Sequence, residues 1–189
     1  MRSRIAPPIL GVAEAEERAM DEVELRRQLE RAHADCFGWA MACCGRDPDD
    51  AEEVLQTVYL SVLDGHARYD ARSSFRTWLF GVIRRTAASE RRKAWLHGLL
   101  LKREAGSLEP TAPAPPDAGV DGAAHCHGLR DALARLAARQ REVIQLVFYH
   151  DLTVDEAAAV MGVSVGSART HYARGKVRLA TLLRDAREP

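Results

Sequence analysis

Apolar residues recur three and four positions apart along much of the chain, the period of a helix with one buried side. From about Glu16 to Cys44, Leu25, Leu29, Phe37 and Met41 are spaced for one such side, and Gly45 stops the run. Residues 1–14, with Pro7 and Pro8, show no clear period and read as a loose extension. Asp47-Pro48 makes a helix start, because an acceptor stands at the cap and proline, which lacks an N–H, takes the first helical position. The helix that follows carries Ala51, Leu55, Val58 and Val62 on one side, leaves Glu52, Glu53 and Gln56 outside, and ends at Asp64-Gly65. Ser73-Ser74 caps the next, with Phe75, Trp78, Leu79, Val82 and Thr86 along one stripe that runs on toward Arg92 or Trp95. These elements make a first domain of residues 15–103 with three or four helices.

Between 104 and 124 the pattern stops. Gly106, Pro110, Pro113, Pro115, Pro116, Gly119 and Gly122 break any period, so the segment reads as a linker. Fully extended, it spans about 60–70 Å. Periodicity returns in a second domain of residues 125–185, where Leu129, Leu133 and Leu136 begin a core that Val143, Ile144 and Val147 continue. Thr153-Val154-Asp155-Glu156 matches a capping box, in which the first and last residues satisfy each other's backbone donors. That helix is short and ends at Met161-Gly162, and Ser164 caps another. A short helix, a tight glycine turn and a second helix read as helix-turn-helix. On the second helix Ser167, Thr170, His171, Arg174 and Arg178 share one side, opposite Val165, Ala168, Tyr172, Leu179 and Leu183. Arginine and hydroxyl side chains are residue types that read base edges or hold phosphates in a major groove. Arg169 lies off that side and is assigned to a backbone phosphate or an internal partner.

Composition supports an all-α fold: alanine, leucine and arginine dominate, and aromatic residues make up only 6%. The formal net charge is zero, but its distribution is uneven. Arg76 to Arg103 holds eight basic residues against one acid, Glu90, and Ala157 to Arg184 holds five against none. Asp47 to Glu53 is an acidic run. Two basic stretches and one acidic stretch point to nucleic acid and to a basic protein partner. No apolar run reaches the roughly 18 residues that span a bilayer, and no secretory signal is evident, so a cytoplasmic protein with reduced Cys36, Cys43, Cys44 and Cys126 is expected. His125-Cys126-His127, with His33 and Cys36, lacks the spacing of a closed metal site, so no metal and no cofactor is expected. No Ser/His/Asp order, glycine-rich phosphate loop or paired-carboxylate site is present, which argues against an enzyme.

Five motifs together resemble the extracytoplasmic-function group of bacterial sigma factors. They are Asp50-Ala51-Glu52-Glu53-Val54-Leu55-Gln56, Ser74-Phe75-Arg76-Thr77-Trp78-Leu79, Arg139-Gln140-Arg141-Glu142-Val143-Ile144, Leu152-Thr153-Val154-Asp155-Glu156-Ala157-Ala158 and Val165-Gly166-Ser167-Ala168-Arg169. The resemblance covers about residues 20–185 and keeps the family's motif order. It implies that the first domain docks on the clamp helices of the β′ subunit of core RNA polymerase, with Asp50, Glu53 and Gln56 as matching residues. It implies that the segment Phe75 to Lys93 opens the minus-ten element and holds one strand of promoter DNA, and the candidate contacts are Phe75, Arg76, Trp78, Arg84 and Arg85. Such binding rests on cations at the phosphates and on stacking of bases against aromatic or guanidinium planes. The second domain is then the reader of the minus-thirty-five duplex, through Ser167, Arg169, Thr170, His171, Arg174 and Arg178, and it contacts the β flap. An anti-sigma factor, if one acts, is a separate chain.

Several positions depart from the family. Thr57 stands where relatives usually carry an acid, Arg85 where many carry asparagine, and Val147 and His171 where some carry arginine. At Thr57 the resemblance implies weaker or differently tuned docking on core polymerase, and at Arg85, Val147 and His171 DNA contact is expected without a particular base sequence. A helix-turn-helix regulator that never joins polymerase is the rival reading, and it leaves the acidic helix and Phe75–Leu79 unexplained.

Overall fold

The computed structural model describes residues 12–104 and 124–186, with side chains described over 23–99 and 128–186. Seven helices and no strand occur among these residues: α1 (Val12–Cys43), α2 (Pro48–Leu63), α3 (Phe75–Glu104), α4 (Ala124–Ala134), α5 (Ala138–Phe148), α6 (Val154–Met161) and α7 (Val165–Asp185). Residues 1–11 of the expected extension and 105–123 of the expected linker lie outside the described residues.

The helix boundaries follow from local chemistry. Gly45 and Arg46 both take left-handed backbone (φ 68° and 72°), which ends α1 and turns the chain into the Asp47 cap. Gly65 (φ 72°) closes α2 and Gly162 (φ 63°) closes α6 in the same conformation. Two helices outrun their expected bounds. α1 begins at Val12 rather than near Glu16, and α3 continues past Trp95 to Glu104, because nothing in Ala94–Lys102 interrupts a helix except Gly98.

α1, α2 and α3 pack on one another, α4 and α5 pack on α7, and α6 packs on α3, α5 and α7. The main core is continuous across both halves of the chain. Trp39, Val54, Val58, Leu79, Phe80 and Ile83 meet Val143, Leu146, Leu152, Ala157 and Val160 in one cluster. A smaller cluster of Ala132, Leu136, Ile144 and Leu182 lies among the C-terminal helices. Helix α3 is thus covered twice, by α1 and α2 on one side and by α6 on another. That double coverage is why Phe80, Ile83 and Ala87 are buried beside the expected Leu79 and Val82, while Phe75 and Trp78 are only half-buried. At the start of the C-terminal half, Ala132 rather than Leu129 turns inward, and Leu129 is 45% exposed. On α7 the expected apolar side is rotated slightly: Ala168, Gly175 and Leu182 are innermost, Tyr172, Leu179 and Leu183 flank them, and Val165 is exposed.

Candidate nucleic-acid interface

Three surfaces carry the side chains expected to act. The first is the outer side of α2. The Asp47 carboxylate accepts from the backbone N–H groups of Asp49 (3.0 Å) and Asp50 (3.1 Å), fixing the first turn. Ala51, Val54, Leu55 and Val58 anchor the inner side in the core, so Asp50, Glu53, Gln56 and Thr57 project to solvent from a rigid helix. The result is an exposed, acidic, well-anchored ridge suited to a basic protein surface.

The second surface begins at the cap of α3, where Ser74 Oγ accepts from the Thr77 N–H at 3.1 Å. Phe75 and Trp78 stand with ring centroids 5.5 Å apart, and Tyr69, from the loop before α3, lies 5.5 Å from Phe75 and 5.4 Å from Trp78. The Tyr69 hydroxyl donates to the Ser73 carbonyl, which holds this ring at the surface. Sequence reasoning missed Tyr69. Its signal is an aromatic residue within a polar loop, Asp64 to Ser74, where no core periodicity requires one. Arg76 pairs with Asp35 at 3.0 Å and lies over the Phe80 ring, its guanidinium carbon 5.3 Å from the centroid. Arg84 is paired with Glu142 of α5, and both side chains are half-buried. Arg85 is exposed. In this arrangement, then, Arg85 and Tyr69 are exposed, Phe75 and Trp78 are half-buried against the core, and Arg76 and Arg84 are each paired with an acid of the chain.

The third surface is the helix-turn-helix. The capping box forms as its sequence requires: Glu156 N–H donates to Thr153 Oγ1 (3.2 Å), and Glu156 Oε2 accepts from Thr153 N–H (2.9 Å). The Thr153 backbone and hydroxyl bonds hold the Glu156 carboxyl below the usual carboxylate range. Ser164 Oγ accepts from Ser167 N–H at 3.2 Å and starts α7. Ser167, Thr170, Arg174 and Arg178 are exposed together along α7, and His171 is half-exposed beside them. Thr170 donates its hydroxyl to the Gly166 carbonyl (2.9 Å), leaving its methyl and oxygen lone pairs outward. Arg169 finds an internal partner, Asp155 of α6, at 3.2 Å, one of the two roles expected of it. Gly175 lets α7 approach α5: a Cβ there would stand 2.8 Å from Ile144 Cδ1 and 3.3 Å from the Gln140 carbonyl oxygen.

Among the described residues no group of three or more His, Cys, Asp or Glu side chains could hold a metal ion. The side chains of His125, Cys126 and His127 lie outside the described ones. Burial pushes the Cys36 thiol up to about 12 and the Cys43 thiol higher still, so both are core groups rather than reactive thiolates. No described helix is long and apolar enough to cross a membrane.

The chain matches two family descriptions in sequence order, Sigma-70 region 2 over residues 29–97 and Sigma-70 region 4 over residues 127–179. It is 31% identical over 167 residues to the ECF RNA polymerase sigma factor SigL of Mycobacterium tuberculosis, covering 85% of this chain and 91% of that one. It is also 31% identical over 133 residues to the RNA polymerase sigma factor CarQ of Myxococcus xanthus, covering 70% and 74%. In structure it resembles the sigma factor RpoE crystallised with the anti-sigma factor NepR from Bartonella quintana, with a TM-score of 0.64 at 24% identity over 85% of this chain and 97% of that one. It resembles as well CnrH in complex with the cytosolic domain of CnrY, with a TM-score of 0.56 at 23% identity over 86% and 88%. The chain belongs to the extracytoplasmic-function sigma factors of bacterial RNA polymerase, which direct promoter-specific transcription initiation.

Proposed function

We propose that residues 15–103 and 125–185, joined through 104–124, divide the work of initiation between them. Asp50, Glu53 and Gln56 dock the first domain on the β′ clamp helices of core polymerase. Phe75, Trp78 and Arg85, with Arg76 and Arg84 once released from their internal partners, hold the minus-ten element as a single strand, and Tyr69 extends the stacking platform. Ser167, Thr170, His171, Arg174 and Arg178 read the minus-thirty-five duplex, and Arg169 steadies the turn through Asp155 or reaches a phosphate. The second domain also meets the β flap. The protein acts without catalysis of its own, in the cytoplasm, and an anti-sigma factor is a fitting further partner because the structurally similar RpoE was crystallised with the anti-sigma factor NepR.

The observation that carries this reading is the presence, in one chain, of a rigid acidic ridge on α2 and an acid-free basic side on a capped α7. Selection of promoter DNA by the reconstituted holoenzyme tests it. Replacing Arg174 by alanine should relax the preferred base at one upstream position and weaken binding by about 1–3 kcal/mol. Selection of the same upstream sequence at undiminished affinity by Arg174→Ala contradicts the assignment.

A further inference from the structure

The two halves of the chain meet over the helix assigned to the single strand, and the meeting is built from specific groups. Arg84 of α3 is taken by Glu142 of α5, which also accepts from Arg139 at 3.2 Å. Gly81 of α3 faces α6 closely enough that a Cβ there would stand 3.9 Å from Val160 Cα. At the end of α5, Asp151 takes a left-handed backbone (φ 51°), and the turn is closed by Leu152 N–H on the Leu146 carbonyl (3.0 Å). That turn drives His150 inward. Its ring is 1% exposed, edge-on to Trp39 at 5.7 Å and to Phe80 at 4.9 Å, and Nδ1 has no hydrogen-bond partner among the described residues. Gly38 of α1 makes room for the turn: a Cβ there would stand 3.3 Å from Tyr149 Cε1 and 3.6 Å from His150 Cε1.

We propose that His150 is a proton-sensitive latch which, with Glu142, holds the C-terminal helices closed over α3, so that closure and single-strand binding by Arg84 exclude each other. The proposal rests on the assignment of α3 to the single strand. Glu142 occupies with a carboxylate the guanidinium that a DNA phosphate would take. The His150 ring fits its aromatic slot only when neutral. Around it, Arg76 on α3 opposes a second positive charge, Asp35 on α1 is already engaged with Arg76, and Asp151 lies in the exposed turn. Burial first, and then Arg76, lower the histidine from 6.5 to about 4 in the closed form. A base whose affinity for protons is depressed by closure favours closure above its open-state value and loses that contribution as pH falls toward the closed-state value. Taking the ordinary 6.5 for the open form and about 4 for the closed, the closed-to-open ratio falls about tenfold between pH 7.5 and pH 5.5.

Small-angle X-ray scattering of the full chain at pH 7.5 and pH 5.5, with helical circular dichroism recorded alongside, tests this directly. The wild type should expand at pH 5.5 without losing helicity, and His150→Phe, which keeps an aromatic ring but cannot titrate, should stay closed at both values. Glu142→Gln should raise affinity for a fluorescent single-stranded oligonucleotide several-fold at pH 7.5. A wild-type radius that does not change with pH, an expansion of His150→Phe equal to the wild type, or an expansion accompanied by loss of helicity overturns the latch. Core-polymerase binding at pH 7.5, measured separately, reports on the assigned function whether or not the latch survives.

Discussion

Leu79 shows how much a single side chain is asked to do. It lies fully buried where α3 meets the rest of the core. Its loss cannot be filled easily, because α1 and α2 on one side and α6 on another are held by their own contacts. Leu79→Ala should cost about 2–5 kcal/mol in urea unfolding, with a transition that stays cooperative because the core is shared. A cost below about 1 kcal/mol would mean the site collapses onto the smaller residue. At this scale the sequence was informative wherever a side chain's role depends on its near neighbours. Asp47, Ser74, Thr153 and Ser164 each cap the helix that follows them, because a cap is written within four residues. Trp39, Phe80 and His150 were not legible. The Trp39 indole donates to the Phe80 carbonyl across 41 positions (3.0 Å), and nothing local in either segment announces the other.

At the scale of elements, periodicity located all three N-terminal helices and the helix-turn-helix, and it erred where a helix has more than one neighbour. A single apolar stripe describes a helix buried on one side, whereas α3 is buried on two, so Phe80 and Ile83 fell outside the expected stripe. The same limit hid Gly175, whose value lies in how near α5 comes to α7. Gly175→Val should destabilise the protein by about 1–3 kcal/mol, since the new side chain meets Ile144 and the Gln140 backbone, and the helix propensity gained is smaller than that overpacking. Thermal unfolding checks it, and an unchanged or raised Tm contradicts the close packing of α5 on α7. The surfaces assigned to partners were legible for a related reason. Asp50, Glu53 and Gln56 on α2, and Arg174 and Arg178 on α7, sit opposite strongly apolar sides, so their exposure follows from the pattern itself. The engagement of Arg84 by Glu142, 58 positions away, does not.

For the whole molecule, zero net charge conceals a division of labour: an acidic ridge on α2, a basic helix-turn-helix, and a basic α3 partly neutralised by the chain's own acids. Such a protein should bind isolated promoter duplex weakly, because few phosphates can be neutralised at once, and gain affinity when polymerase positions both halves together. Docking through α2 and opening of the promoter are tested together by open-complex formation, followed by permanganate reactivity of unpaired thymines, with core polymerase and the wild type or Glu53→Lys. The minus-ten region should melt with the wild type, and melting should be lost with Glu53→Lys at concentrations where wild-type holoenzyme is saturated. Melting that needs no chain from this protein, or that is indifferent to a charge reversal on α2, would contradict these roles.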